Sequence, residues 1–150
     1  MIQINYPTRR DLELYTARLG NKRVGISRYM RRHLPHFDKH WFETVEAVIE
    51  RIQLPGVPDR IHCKAAHLFY KMIKNHHFID GNKRSAVIVL FIFYWFNGHV
   101  LVPRPMTLRM LAKRTAEDRL IELIRVKKPD VVVKVLEAIF EEITVEVKDS

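Results

Sequence analysis

The chain has 150 residues, of which 47% are apolar, and 26 Lys and Arg against 17 Asp and Glu give a formal net charge of +9. This length corresponds to one domain that can bury a core without disulfides, and the apolar content excludes a disordered chain. The single Cys63 excludes an intramolecular disulfide and a four-cysteine zinc site. We therefore expect one domain over residues 1–150, in a reducing compartment, whose positive charge favours acidic partners.

Nothing in the sequence has the length of a membrane-spanning helix. The longest apolar run, Ala86 to Phe96, has 11 residues, whereas a span needs about 20. Residues 1–5 are too few and too polar for a signal peptide. We expect a cytoplasmic protein with no membrane partner.

Local patterns are weak over the first 36 residues. Residues 1–5 alternate weakly and are compatible with a short strand. Residues 8–18 predict a short helix with Thr8 as its N-cap. Residues 20–36 are basic and irregular, and no element is assigned to them.

A regular helical pattern begins at Asp38, which is a favourable N-cap residue. Phe37 before it and Phe42 after it have the spacing of a hydrophobic staple. Apolar residues then recur at helical spacing: Trp41, Phe42, Val45, Val48, Ile49 and Ile52. The pattern predicts a helix that ends before Pro55.

Two further helices follow. The first is predicted to begin at a cap formed by Asp59, and its apolar stripe consists of Ile61, Ala65, Leu68, Phe69, Met72 and Ile73. The second begins at Asn82 or Lys83 and runs to about Phe96, before Asn97-Gly98. Because it is apolar on all sides from Ala86, we expect it to be the central buried helix, with Trp95 in the core.

The last third of the chain predicts short elements. Residues 100–102 are compatible with an extended segment, and Thr107 and Asp130 are candidate caps of two helices, with a short helix at 120–124 between them. The fold class is therefore all-α: a bundle of six or seven helices around the central helix, with at most short strand-like pieces.

Residues 75–84 (NHHFIDGNKR) are unusual for a loop between two buried helices, because they combine histidine, carboxylate, carboxamide, ammonium and guanidinium groups. The first backbone N–H groups of a helix have no intrahelical acceptor, so Gly81, Asn82 and Lys83 lie where an anion binds. Lys83 and Arg84 add two positive charges, and arginine can hold phosphate oxygens in a bidentate manner.

Two more side chains in this segment have groups suited to metal binding and proton transfer. Asp80 is a hard oxygen ligand, and one carboxylate with phosphate oxygens and water is the usual way to hold Mg²⁺. His76 has the near-neutral pKa of a group that takes a proton from a hydroxyl. Taken singly, Asp80 and Asn82 are ordinary cap or turn residues. Taken together, these residues indicate transfer of a phosphate-containing group from a nucleotide to an alcohol.

The run from His76 to Arg84 resembles the signature of the Fic/Doc family: His, any residue, Phe, any residue, Asp or Glu, Gly or Ala, Asn, Gly or Lys, Arg. With its flanking helices the resemblance covers about residues 40–100. It implies a Fic/Doc-like helical domain that uses ATP as substrate and Mg²⁺ as cofactor.

The resemblance also implies a role for each position. His76 would be the catalytic base, and Phe78 would anchor the loop in the core. Asp80 would hold Mg²⁺, residues 81–83 would cradle the phosphates, and Arg84 would bind them in catalysis.

Lys83 is similar to the Doc branch, whose toxin passes the terminal phosphate of ATP to a threonine of elongation factor Tu. Gly81 instead matches the adenylylating branch, so transfer of AMP is the alternative. No self-inhibitory helix signature is found, which implies a separate antitoxin chain as regulator.

Two other classes remain as alternatives. One is a Fic-like protein that binds nucleotide without catalysis, although every motif position is filled. The other is a basic nucleic-acid-binding module, which the net charge favours. Because the positive charge is scattered and no helix-turn-helix signature is present, nucleic acid is the less favoured partner.

Overall fold

The computed structural model describes residues 3–21, 37–75, 78, 81–120 and 127–147. Over these residues the elements are α1 (Arg9–Asn21), α2 (Lys39–Ile52), α3 (Ile61–Lys74), α4 (Asn82–Phe96), β1 (His99–Leu101), α5 (Pro105–Ala116), α6 (Pro129–Ile143) and β2 (Thr144–Glu146). The predicted all-α fold is confirmed. No helix among the described residues is long and apolar enough to cross a bilayer.

Helix α4 lies at the centre of the bundle, as predicted. It packs against α3 and α5, and α3 packs in turn against α6. Residues 85–90 and 92–94 of α4 are buried. Trp95 does not belong to the core, because 44% of it is exposed on the last turn, where it stacks on Phe91 with ring centroids 6.0 Å apart. The prediction for Trp95 was wrong because a continuous apolar run does not show where a helix emerges from its neighbours.

The predicted caps of the first two helices are confirmed. At α1 the Thr8 N–H donates to Asp11 Oδ2 (2.9 Å), and the Asp11 N–H donates to Thr8 Oγ1 (3.2 Å). At α2 the Trp41 N–H donates to Asp38 Oδ1 (2.9 Å). The staple across this cap is also present, with the rings of Phe37 and Phe42 6.3 Å apart.

The predicted cap of α3 at Asp59 is wrong. Helix α3 begins at Ile61, and the Asp59 side chain is 92% exposed, 3.4 Å from Lys64 Nζ. Lys64 is itself buried, and its ammonium donates to the carbonyl oxygens of Ile52 and Val57. The turn between α2 and α3 is therefore held by a buried lysine rather than by a capping carboxylate.

Proline, not the predicted side-chain caps, begins the last two helices. Pro105 and Pro129 occupy first-turn positions, where a missing N–H costs nothing and the fixed φ suits the helix. Thr107 and Asp130 therefore lie inside their helices rather than before them. The helix predicted at 120–124 falls largely outside the described residues, as does most of the basic segment 20–36.

A two-stranded antiparallel sheet joins the ends of α4 and α6. Leu101 pairs with Thr144, and His99 pairs with Glu146. The predicted extended segment is thus confirmed as β1, while β2 was not predicted because it follows α6 without a break. No strand is present at residues 3–5. Instead, the Asn5 N–H donates to Asn97 Oδ1, and the Asn5 carbonyl accepts from Asn97 Nδ2.

Candidate active site

The motif lies between the end of α3 and the start of α4. Of this connection the structure describes Asn75, Phe78 and Gly81. His76 and Asp80 lie outside the described residues, so the roles of base and Mg²⁺ ligand remain predictions. The described residues show how the sequence shapes the segment on either side of them.

Gly81 is the N-cap of α4 and has a left-handed backbone, with φ 84° and ψ 13°. Residues with a Cβ rarely adopt this conformation, which explains the glycine at this position. The Ser85 N–H donates to the Gly81 carbonyl oxygen at 2.8 Å, so the helical hydrogen bonds begin here. The left-handed residue turns the chain directly into the helix.

The side chain of Asn82 is part of the loop itself. Its Oδ1 accepts from the Phe78 N–H at 3.1 Å, and its Nδ2 donates to the Phe78 carbonyl at 2.7 Å. Both backbone polar groups of Phe78 are therefore bound by one carboxamide. In this arrangement the Asn82 side chain holds the loop. Asn82 would therefore contribute to the predicted phosphate cradle through its backbone N–H.

Phe78 is half-buried and packs against the core. Its ring meets the ring of His40 edge-on, with the centroids 5.6 Å apart. Together with the Asn82 bonds, this contact attaches the middle of the loop to α2 and α4. The geometry is what an anchoring role for Phe78 requires.

A second connection, between α2 and α4, was missed by sequence reasoning. The indole Nε1 of Trp41 donates to Ser85 Oγ at 2.9 Å, and both residues are buried. The Phe37 ring packs edge-on against Trp41 at 4.7 Å. The sequence carried no distinct signal for this bond, because Ser85 directly follows the polar residues 82–84. Only the structure shows that its hydroxyl is buried and therefore needs a hydrogen-bond partner.

The charge at this helix start is positive. Lys83 and Arg84 are half-buried in the first turn of α4, which contains no acidic residue. Basic side chains oppose the helix dipole at an N-terminus, whereas a bound anion is stabilised by the dipole and the cations together. The start of α4 is therefore suited to a phosphate group.

No group of three or more His, Cys, Asp and Glu side chains that would suit a metal ion occurs among the residues that the structure describes. A Mg²⁺ ion held by one carboxylate, nucleotide phosphate oxygens and water needs no such cluster. Asp80, the carboxylate expected to hold such an ion, lies outside the described residues, so Mg²⁺ binding remains a prediction.

Comparison with protein families bears on this arrangement. Residues 26–94 match the model of the Fic/DOC family, a segment that contains α2, α3, the whole motif and most of α4. The resemblance to the Fic/DOC family that the motif indicated is thereby confirmed over this segment, and proteins of this family generally transfer nucleotidyl or phosphate groups. A search of the curated proteins and a search of the solved structures found no match.

Proposed function

We propose that this protein is a Doc-like transferase that moves the terminal phosphate of ATP to a hydroxyl group of a protein. The observation that carries the proposal is the start of α4. There, the first turn contains Lys83 and Arg84 and no acidic residue. Lys83 supports the phosphoryl reaction over adenylyl transfer, because the Doc branch of the family has lysine at this position.

In the proposed reaction His76 removes the proton from the target hydroxyl. The hydroxyl oxygen then forms a bond to the terminal phosphorus, the bond from that phosphorus to the bridging oxygen breaks, and ADP leaves. Lys83 and Arg84 stabilise the phosphate charge with the backbone N–H groups of the α4 start. A Mg²⁺ ion held by Asp80 would neutralise further negative charge on the nucleotide.

The proposed target is a threonine of elongation factor Tu, in line with the resemblance to Doc, and a separate antitoxin chain is the proposed regulator. A translation factor as target implies a cytoplasmic enzyme. The net charge of +9 favours association with an acidic partner.

Adenylyl transfer is the second candidate, and one observation favours it. Gly81 matches the adenylylating branch, and its φ of 84° uses the freedom that only glycine has without strain. In this reaction the hydroxyl attacks the α-phosphorus and pyrophosphate leaves, with the same base and the same cationic helix start.

A transfer assay with position-specific labels tests both candidates. Purified protein is incubated with Mg²⁺, elongation factor Tu and ATP labelled at the α or the γ phosphate. Label from the γ position supports the kinase, and label from the α position establishes adenylyl transfer. No label on elongation factor Tu in either reaction contradicts the proposed target, and it means that another protein is the target or that the motif binds nucleotide without catalysis. Salt-dependent binding of duplex DNA would instead indicate a nucleic-acid-binding module.

Three single substitutions assign the roles. His76→Ala should abolish transfer and leave ATP binding nearly unchanged, whereas Arg84→Ala should weaken both. His77→Ala is the matched control, since it removes the neighbouring imidazole to which no role is assigned. Transfer that survives His76→Ala but not His77→Ala would show that the base is misassigned.

A further inference from the structure

A lysine in the last turn of α3 binds the end of α5. Lys74 Nζ pairs with Asp118 Oδ1 at 2.5 Å, and it also donates to the Ala116 carbonyl oxygen at 3.2 Å. Only 22% of the Lys74 side chain and 21% of the Asp118 side chain are exposed. Solvent and salt therefore screen this ion pair less than they screen a pair on the open surface.

Asp118 occupies a place in the chain that usually belongs to glycine. It directly follows the C-cap of α5 and has φ 59°, the only positive φ of a residue other than glycine in the described parts of the chain. The Asp118 N–H donates to the Thr115 carbonyl oxygen at 3.3 Å. The Arg119 N–H donates to the Arg114 carbonyl oxygen at 2.8 Å. These two bonds form a Schellman motif, which favours glycine at this point, but a glycine would lack the carboxylate that Lys74 binds.

The ion pair lies at one border of the predicted catalytic segment. Helix α3 ends at Lys74, and His76 is two residues further along the chain. Two residues beyond His76, the backbone of Phe78 is bound by the Asn82 carboxamide. The chain is therefore attached on both sides of the predicted base, to α5 at the end of α3 and to α4 at Phe78.

We propose that Lys74 and Asp118 form a positioning pair, which fixes the end of α3 so that His76 meets the target hydroxyl. This inference rests on the proposed function, in which His76 is the base. Proton transfer needs the two groups at hydrogen-bond distance, and a misplacement of about 1 Å can lower a rate about a hundredfold. Lys74 and Asp118 act through the backbone that leads to His76 and do not contact the nucleotide or the target.

Steady-state kinetics of the full chain, with elongation factor Tu as the target, separate positioning from binding. Lys74→Met removes the ammonium and keeps an unbranched side chain. We expect kcat to fall about tenfold or more because the base is misplaced. The KM for ATP should stay within about twofold of the wild type, because the proposed phosphate-binding groups are on α4. Lys74→Arg, which keeps the positive charge, should restore most of kcat.

Asp118→Gly distinguishes positioning from general stabilisation. Glycine suits the left-handed end of α5, so this substitution relieves backbone strain while it removes the partner of Lys74. We expect a urea midpoint close to that of the wild type and a kcat that is clearly lowered. The double variant should lose about as much kcat as Lys74→Met alone, because both substitutions break the same ion pair.

Arg60→Met is the matched control at the other end of α3. Arg60 binds Glu137 of α6 through Nε at 3.1 Å and Nη2 at 3.3 Å, so it also attaches α3 to a neighbouring helix by an ion pair. Since α3 has 14 residues, Arg60 lies about 21 Å from Lys74 along the helix. Loss of this second ion pair should leave kcat unchanged.

Amide hydrogen exchange measured by mass spectrometry tests the same pair without any transfer reaction. Peptides that cover residues 72–81 should exchange faster in Lys74→Met and in Asp118→Gly than in the wild type. Arg60→Met should leave the exchange of these peptides unchanged.

Two results would overturn the proposal. The first is unchanged exchange of residues 72–81 in both Lys74→Met and Asp118→Gly. The second, with an active wild type, is a kcat of Asp118→Gly equal to that of the wild type, or a loss of kcat that Arg60→Met shares. A wild type that labels no target contradicts the proposed function instead, and hydrogen exchange then decides whether the pair fixes this segment.

Discussion

One carboxamide, that of Asn82, binds both backbone polar groups of Phe78, at 3.1 Å for the N–H and 2.7 Å for the carbonyl. The two residues are the fixed points on either side of Asp80 in the motif. The bonds close a five-residue loop between a ring packed on the core and the first turn of α4. The position of Phe78 relative to α4 therefore depends on a residue whose side chain need not touch the nucleotide.

Replacement of Asn82 by alanine tests this relationship. Loss of two hydrogen bonds should lower the free energy of unfolding by about 1–3 kcal/mol, and it should strongly reduce phosphate transfer because the loop loses its brace. Asn97→Ala is the matched control, since Asn97 binds both backbone groups of Asn5 in the same manner. Urea unfolding and the transfer assay measure both effects. Equal loss of transfer in the two variants would show that only global stability matters.

The bond between Trp41 and Ser85 should couple α2 to the start of α4. We expect Trp41→Phe and Ser85→Ala each to destabilise the protein, and the double variant to lose less than the sum of the two. The coupling energy should be about 1 kcal/mol, the usual net value of a buried neutral hydrogen bond. A double-mutant cycle in urea measures this value. Strict additivity would mean that the two side chains contribute to stability independently.

Alanine at position 81 should be strained, because the residue has φ 84°. Gly81→Ala is expected to cost about 1 kcal/mol of stability and to disturb transfer by shifting the first turn of α4. Gly98→Ala serves as control: its φ is 74°, and among the described residues a Cβ there would meet only the Val147 carbonyl oxygen, at an ordinary 3.9 Å. It should show the same strain with normal transfer. Full activity of Gly81→Ala would show that the left-handed conformation is not needed.

Two half-buried histidines should make stability depend on pH. Burial, with a smaller contribution from His99, lowers the pKa of His62, whose Nδ1 lies 2.9 Å from the Tyr94 hydroxyl. Burial and the nearby Lys71 lower the pKa of His67. Glu137 opposes both shifts, with Glu141 acting on His62 and Asp130 on His67.

Because these pKa values are below those of the unfolded chain, the unfolded state takes up more protons in acid. The free energy of unfolding should therefore fall as the pH drops below about 6.5 and level off below the folded pKa values. Urea unfolding over this range measures the effect, and His62→Gln with His67→Gln should flatten the profile. An unchanged slope in the double variant would assign the pH dependence to other groups.

Whether a feature could be predicted from the sequence depends on how far apart in the chain its interacting residues are. Caps such as Asp38 and Thr8 were predicted correctly because a cap and the N–H that it binds lie within three residues. The caps at Thr107 and Asp130 were not, because a nearby proline was the stronger local signal. Strand β2 was missed because it needs a partner strand more than 40 residues earlier in the chain.

The sequence by itself determined the all-α class, the central helix and the motif of the Fic/DOC family, since each is written in local periodicity or in one continuous run of residues. The tertiary structure alone decided that Trp95 is exposed, that Trp41 binds Ser85 and that α5 and α6 enclose an apolar groove. The physical reason is packing. Burial and hydrogen bonding between distant residues depend on how helices meet, and that arrangement is set by the whole core rather than by any one segment.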